Sequence, residues 1–342
     1  AIASLAAQCG ASGREAITAY VAGFEAQCAL AMPILPSHYE RGWHATSTFG
    51  VFGATAAAAS LLDLNESETR HAMNVAASTA SGLVQNFGTM TKPFHVGHAA
   101  RSGVTAGLLA DEGFTASPGA LGTNGGFLDL YSGDTEPELE ATHNLGNEWA
   151  LVEHGISMKK YPCCSFTHSG IDAAISIKDE YDFTVDEIET VDVIASAAAD
   201  DILQYPTPES DLERKFSMPF TIAAALVDGD VTIETFNAPV PEESSIAAVQ
   251  DRVNFEVDPD LPYNSHETTV EVTVASGAKF SMTNEQPPGT PANPLSETEL
   301  EKKFRECAEH APLDVPVESV YDRLRSTSTI DDFENVIVMD TL

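Results

Sequence analysis

Apolar side chains recur at three- and four-residue intervals through the first third of the chain, the period of helices with one buried face. From Arg14 to Met32 the recurrence is carried by Ala16, Tyr20, Phe24 and Cys28, and Pro33 with Pro36 ends it. Thr46 to Leu62 predicts a second helix, opened by hydroxyl residues able to cap it (Thr46, Ser47, Thr48) and so rich in Ala and Gly that its neighbours must come close. A third, Glu66 to Gly82, follows the cap residue Asn65, and Lys92-Pro93 opens a fourth that runs through Ala99, Ala100 and Ala106 to about Glu112.

The glycines at 119, 122, 125 and 126 then break the period. Leu121 to Gly133 reads as a loop, and not as a phosphate cradle, because it neither follows a strand nor ends in Gly-Lys-Ser/Thr. Beyond it the texture changes. After a helix at Ser169 to Asp179, Thr190 to Ser196 and Thr268 to Val274 alternate with the period of strands, while Phe216 to Val227 predicts a helix stopped by Asp228-Gly229. Pro287, Pro288, Gly289, Pro291 and Pro294 mark a hinge or long loop. Ser296 and Glu299 then form a capping box for a helix carrying Leu300, Phe304 and Cys307. The pattern is a mainly α chain with an α+β module set into it.

Length and charge narrow the class. The 342 residues predict two domains, or one large domain with an insertion, and 43% hydrophobic residues suffice for a buried core. Against 17 Lys and Arg stand 52 Asp and Glu, a formal charge of -35. The carboxylates are dispersed, with no run of five and no Asp-x-Asp-x-Asp-Gly loop, so they read as an acidic coat suited to a salt-rich cytoplasm rather than as a calcium site or acidic tail. Eight Lys and nine Arg cannot line a phosphate backbone, which excludes nucleic acid as a partner, and an anionic membrane would repel the surface. The apolar stretches fall short of the roughly eighteen residues a membrane span needs. Five cysteines, an odd number without a Cys-x-x-Cys pair, point to a reducing compartment, and the localisation expected is cytoplasmic. The opening Ala-Ile-Ala-Ser-Leu, with no initiator Met and no basic flank, reads as a fragment that starts within a helix.

Because cations are scarce, each Lys in an apolar setting is informative. Lys92 lies in Gly88-Thr-Met-Thr-Lys-Pro-Phe-His95 at a helix start, where the dipole is already positive. A Lys gains nothing there unless an anion lies between the two, and the alternative is a surface Lys near a turn. His44, in Arg41-Gly-Trp-His44, precedes the Ala-rich helix and could move a proton on a substrate held by its carboxylates, or simply be hydrogen-bonded where it stands. His95 and His98 share a helical face but lack a third ligand nearby, which argues against zinc. The third cluster, Met158-Lys-Lys-Tyr-Pro-Cys-Cys-Ser-Phe-Thr-His168, gathers two Lys, two thiols and an imidazole around a Pro. Such a loop can converge on an anion. Cys163 and Cys164 could be nucleophiles, although a buried thiol is more often packing.

Four strings, Arg41-Gly-Trp-His-Ala-Thr-Ser-Thr-Phe-Gly50, Thr91-Lys-Pro-Phe-His-Val-Gly-His-Ala-Ala-Arg-Ser-Gly103, Lys159-Lys-Tyr-Pro-Cys-Cys-Ser-Phe-Thr-His168 and Asn293-Pro-Leu-Ser296, resemble the MmgE/PrpD family. That family includes 2-methylcitrate dehydratase, cis-aconitate decarboxylase and iminodisuccinate epimerase, and the similarity runs along essentially the whole chain. The resemblance implies a large helical domain (1–156 and 286–342) with an inserted smaller α+β lid domain (157–285). It also implies a homodimer, no metal and no organic cofactor, and a site in the cleft between the domains. By motif, His44, Lys92 and Lys159 match the family's catalytic positions, and Cys164 and His168 its substrate-binding ones. Cys164 stands where the decarboxylase has a histidine. The family's upstream Asp-aromatic-Asp-Asp segment is not in this sequence, which reads as truncation.

The function expected is that of a cofactor-independent lyase on a small di- or tricarboxylate, beginning with α-proton abstraction, and most similar to 2-methylcitrate dehydratase, a hydro-lyase of propionate metabolism. The alternatives are decarboxylation or epimerisation, which share the carbanion, a cysteine-dependent enzyme, and a non-catalytic carboxylate-binding remnant.

Overall fold

The computed structural model describes residues 1–241, 243–311 and 316–337. Its described residues are mainly helical, with one small mixed sheet, and divide into two compact units: 1–86, 90–155 and 316–337 form the first, 87–89, 156–241 and 243–311 the second.

In the first unit, α1 (Ile2–Cys9) stops at Gly10, which takes the left-handed φ of 64°. Next, α2 (Gly13–Ala31) is opened by a capping box of Ser12 and Glu15 and closed by the turn containing Pro33. The segment predicted as one helix from Thr46 is two, α4 (Ala45–Thr48) and α5 (Gly50–Leu61), after a short α3 (Ser37–Glu40). The hydroxyls do not cap it. His44 occupies the N-cap position of α4, Ser47 Oγ donates to the carbonyl of His95, and Thr48 Oγ1 lies 2.8 Å from His38 Nε2.

After α6 (Glu66–Ala77), capped by Asn65 as expected, α7 (Thr91–Asp111) packs on α5 through small residues. The glycine-rich stretch holds a short helix, α8 (Phe127–Ser132), whose Phe127 packs edge-on against both Phe49 and Phe52. Then comes α9 (Ala150–His154). The core is Ile34, Phe49, Val51, Phe52, Phe127 and Leu128 with alanines of α6 and α7.

By length and composition, the stretch from Gly13 to Ile34 could cross a membrane, contrary to the sequence expectation that no stretch is long enough. About a third of it is buried within the unit, on the face toward α5. Gly23 meets the backbone of α5, and both carboxylate oxygens of the buried Glu25 accept N–H groups at the start of α9, each at 2.9 Å.

The second unit opens with α10 (His168–Glu180) and is built on β1 (Ile188–Ala195). There follow α11 (Ala197–Ile202), α12 (Asp211–Arg214), α13 (Met218–Asp228), α14 (Ile233–Asn237) and α15 (Ser245–Gln250). The remaining strands are β2 (Val253–Val257), β3 (Thr268–Val274) and β4 (Lys279–Asn284), in the order β2-β1-β3-β4. The pair β1/β2 is parallel, and β3 runs antiparallel to β1 and β4, with Val191 opposite Val272 and Val193 opposite Val270. These valines face α10 and α13, and α13 is buried almost throughout. Gly170 allows the close approach, since a Cβ there would lie 2.9 Å from Ile222 Cδ1 and 3.2 Å from Thr268 Cγ2.

The capping box at Ser296 and Glu299 is present and opens α16 (Glu297–Glu309). This helix falls in the second unit rather than in the helical domain expected to resume at 286. Polar contacts tie it there: Glu299 lies 3.5 Å from Lys160, Lys302 pairs with Asp230 at 2.7 Å, and Glu306 accepts the amide of Ile233 at 2.9 Å. The chain returns to the first unit with α17 (Val317–Arg325) and α18 (Glu334–Ile337), where Phe333 donates its amide to Ala11. Of the expected C-terminal helical segment, residues 312–315 and 338–342 lie outside the described residues.

Candidate active site residues

In the first unit an aromatic frame sets the backbone of His44. The ring of Trp43 lies 4.7 Å from that of Tyr131, whose hydroxyl donates to the carbonyl of Ala80, and the His44 amide donates to the carbonyl of Gly82 at 3.0 Å. His44 is 3% exposed. Burial, then the positive charge of Lys92, then His95, push its pKa down to about 4, so the ring is neutral at physiological pH. Lys92 is the second residue of α7, half-buried in its first turn, where the free amides of a long helix add to its positive potential. Sequence reasoning thus placed two residues that the structure brings within electrostatic reach of one another.

It missed a third. His95, which by spacing shares a helical face with His98, has its Nδ1 2.9 Å from His44 Nδ1, and the ring is buried. No spacing signal could have revealed a contact across 51 positions. Burial and Lys92 hold His95 below the ordinary imidazole value as well, with a smaller contribution from His98.

In the second unit Lys159, Cys164 and His168 lie on one short loop and the helix it feeds. Lys159 is exposed and donates to the carbonyl of Cys163 at 2.7 Å. Its neighbours are structural: Lys160 pairs with Asp172 at 3.1 Å, and the buried Tyr161 donates its hydroxyl to the same carboxylate. Cys163 Sγ lies 3.1 Å from Thr167 Oγ1, and burial pushes the thiol up to about 12, so it is not a thiolate nucleophile at neutral pH. Cys164 is 8% exposed, its amide held by the carbonyl of Lys215 at 2.9 Å. His168, the first residue of α10, is 1% exposed with the edge of Tyr161 against its ring. Burial first, then Lys159, push it down to about 3.

Among the described residues, four buried polar atoms of this unit lack a hydrogen-bond partner: His168 Nε2, Ser169 Oγ, His266 Nδ1 and Thr268 Oγ1. Also among the described residues, no group of three or more His, Cys, Asp or Glu is placed to hold a metal ion.

Each unit therefore couples a neutral imidazole to a nearby ammonium group. The imidazole can accept a proton and the ammonium can pair with a carboxylate, which suits anionic substrates whose reaction begins with loss of a proton.

The sequence is 28% identical to the cis-aconitate decarboxylase of Homo sapiens over 97% of this chain and 69% of that protein. It is 26% identical to that of Mus musculus, over 88% and 62%, and 29% identical to that of Aspergillus terreus, over 66% and 49%. The chain thus spans between about half and just over two thirds of the length of these relatives. The MmgE/PrpD N-terminal domain matches residues 1–140 and the MmgE/PrpD C-terminal domain residues 161–317. The two matches follow one another along the chain, and the protein belongs to the MmgE/PrpD family.

Proposed function

We propose that this protein is a lyase acting on a small tricarboxylate, beginning with removal of a proton from the carbon next to a carboxylate. The observation that carries the reading is His44, buried and neutral, with the ammonium of Lys92 close enough to depress its pKa. Burial first, and then that ammonium, make the imidazole a weak base in the absence of an anion. A substrate carboxylate paired with Lys92 cancels the charge and removes that part of the depression, so the base gains strength when substrate is bound. The carbanion is an enolate-like dianion, and Lys92, beside His44, is the cation assigned to stabilise it. The reading calls on no cofactor.

From that carbanion a β-hydroxyl can leave; decarboxylation reaches a carbanion by the other route, breaking the bond to a carboxylate as carbon dioxide leaves, and the carbanion then takes a proton from the imidazole side. We assign dehydration of a 2-methylcitrate-like substrate, because Cys164 stands where a decarboxylase of the family would carry histidine, and a buried thiol is a far weaker acid–base group. The second reading, decarboxylation, is favoured by the similarity to cis-aconitate decarboxylases.

Whole protein in molar KCl, offered 2-methylcitrate and cis-aconitate in turn, tests both. Dehydration predicts turnover of the first without release of carbon dioxide from the second. Lys92→Ala and His44→Ala should each lower kcat by about a hundredfold or more. Alkylation of the exposed Cys9 and Cys307 should leave the rate unchanged. Full activity in both variants would refute the reading, and carbon dioxide from cis-aconitate would decide for the decarboxylase.

A further inference from the structure

The contact between His44 and His95 constrains where protons can be. Two imidazole nitrogens 2.9 Å apart form a hydrogen bond when one carries hydrogen and the other a lone pair. Because both contact atoms are Nδ1, the two neutral rings hold one Nδ1 proton between them and must take opposite tautomers. When His44 owns that proton, its Nε2 is a lone pair and the ring is a base. When His95 owns it, a neutral His44 carries hydrogen at Nε2 and the ring is an acid.

Resting on the reading of His44 as the group that moves the proton, we propose that His95 is a positioning residue and proton reservoir for it. A proton accepted at His44 Nε2 is matched by passage of the Nδ1 proton to His95 Nδ1, and the reverse step releases it. The transfer balances. The N–H bond at His44 Nδ1 breaks as that at His95 Nδ1 forms, His44 stays neutral, and the positive charge ends on His95, both of whose nitrogens then carry hydrogen. His44 thereby passes from base to acid without turning its ring, which an abstraction followed by protonation of a leaving hydroxyl requires.

The surroundings keep the two rings in place. The His44 backbone is bonded to Gly82, the His95 carbonyl accepts from Ser47, and a Cβ at Gly82 would stand 2.9 Å from Ser47 Cβ and 3.4 Å from His95 Nδ1. With φ at +133°, position 82 suits glycine on backbone grounds as well. The titratable groups facing the pair are Lys92, which acts on both rings, and His98, which acts on His95 and itself meets Arg101 at 3.2 Å. All are basic, so the resting pair holds a single Nδ1 proton. A carboxylate at Lys92 removes the charge that most opposes a second.

The test is nuclear magnetic resonance of the whole protein carrying ¹⁵N in its imidazoles. A shared proton gives a scalar coupling between the two Nδ1 nuclei and opposite tautomers for the two rings. The same tautomer in both rings, with no coupling, overturns the proposal whatever the activity. Two variants supply the kinetics. His95→Asn keeps a group able to hydrogen-bond His44 but cannot take up a proton, and His95→Ala removes both capacities. Each should lower kcat by about tenfold or more with KM for the tricarboxylate little changed, and each should shift the acid limb of the kcat profile, since His44 then ionises alone. Wild-type kcat and an unshifted profile in His95→Asn would reduce His95 to packing and overturn the proposal. In a protein that turns over no tricarboxylate, the coupling still decides whether the proton is shared, so failure of the reaction assignment and failure of the pair are told apart.

Discussion

His168 shows how burial sets chemistry at the scale of one side chain. It is 1% exposed, and its pKa is pushed down to about 3, chiefly by burial. The unfolded chain would take up a proton near the ordinary value of 6.5, while the folded protein does not until far lower pH. Stability tied to this group is therefore whole above 6.5 and falls on acidification by about 1.4 kcal/mol per pH unit until the folded value is reached. The many carboxylates titrate over part of the same range, so the contribution must be isolated by difference. Denaturant unfolding of wild type and His168→Asn, compared at pH 6.5 and about pH 5, should show the gap between them change by about 2 kcal/mol to the disadvantage of the wild type at the lower pH. An unchanged gap would mean that the ring is charged when folded. His44, Lys92, Lys159, Cys164 and His168 were legible as candidates because lysines are scarce in this chain and all five residues fall on recognisable strings. The partnership of His44 with His95 was not, because it depends on how α4 meets α7 and leaves no mark on local spacing.

At the scale of elements, α5 is held by glycines on both sides. A Cβ on Gly23 of α2 would lie 2.5 Å from the Gly53 carbonyl, and one on Gly103 of α7 would lie 2.7 Å from the Val51 carbonyl and 2.8 Å from the Thr55 amide. These obstacles are backbone atoms and cannot swing aside. Gly103→Ala should therefore destabilise by about 1–3 kcal/mol, although alanine is the better helix former. Gly97, on the same helix, has nothing within 4 Å of its would-be Cβ, so Gly97→Ala should stabilise by up to about 1 kcal/mol. Thermal melts of the two variants beside wild type check both signs, and a pair shifting in the same direction would refute the packing argument.

The Ala and Gly content of α5 made its close neighbours readable from sequence, Asn65 was readable as a cap by its residue type, and the cap at Ser296 by its partner Glu299 three residues on. The strands β2 and β4 escaped. In β4 the residues alternate between exposed and half-buried with none fully buried, and it pairs along the sheet edge with β3 alone, so it lacks the strong alternation that revealed β3. The break at Phe49 escaped too, since it follows from Ser47 and Thr48 being spent on His95 and His38 rather than on a cap.

For the molecule as a whole, charge is the dominant fact. A formal charge of -35 must be carried by folded units whose compaction brings carboxylates nearer than they lie in the unfolded chain. Some of these groups are used locally: Glu15, Glu68, Glu187, Glu213 and Glu299 each close a capping box at a helix start, where the dipole favours a negative charge. With 17 Lys and Arg against 52 acidic residues, most of the others cannot find a cation. Mobile counter-ions must serve instead. Between 0.1 M and 1 M salt the screening length falls from about 10 Å to about 3 Å, from the spacing of surface charges to less than that spacing. Repulsion between neighbouring carboxylates should therefore fade over this range and change little beyond it. The melting temperature followed by circular dichroism should rise on the order of 5 °C or more between 0.1 M and 1 M KCl and then flatten. A neutral osmolyte that strengthens burial without screening would give a rise with no such plateau. A melting temperature insensitive to KCl would mean that the acidic side chains are already far enough apart, or well enough capped, for their repulsion not to matter.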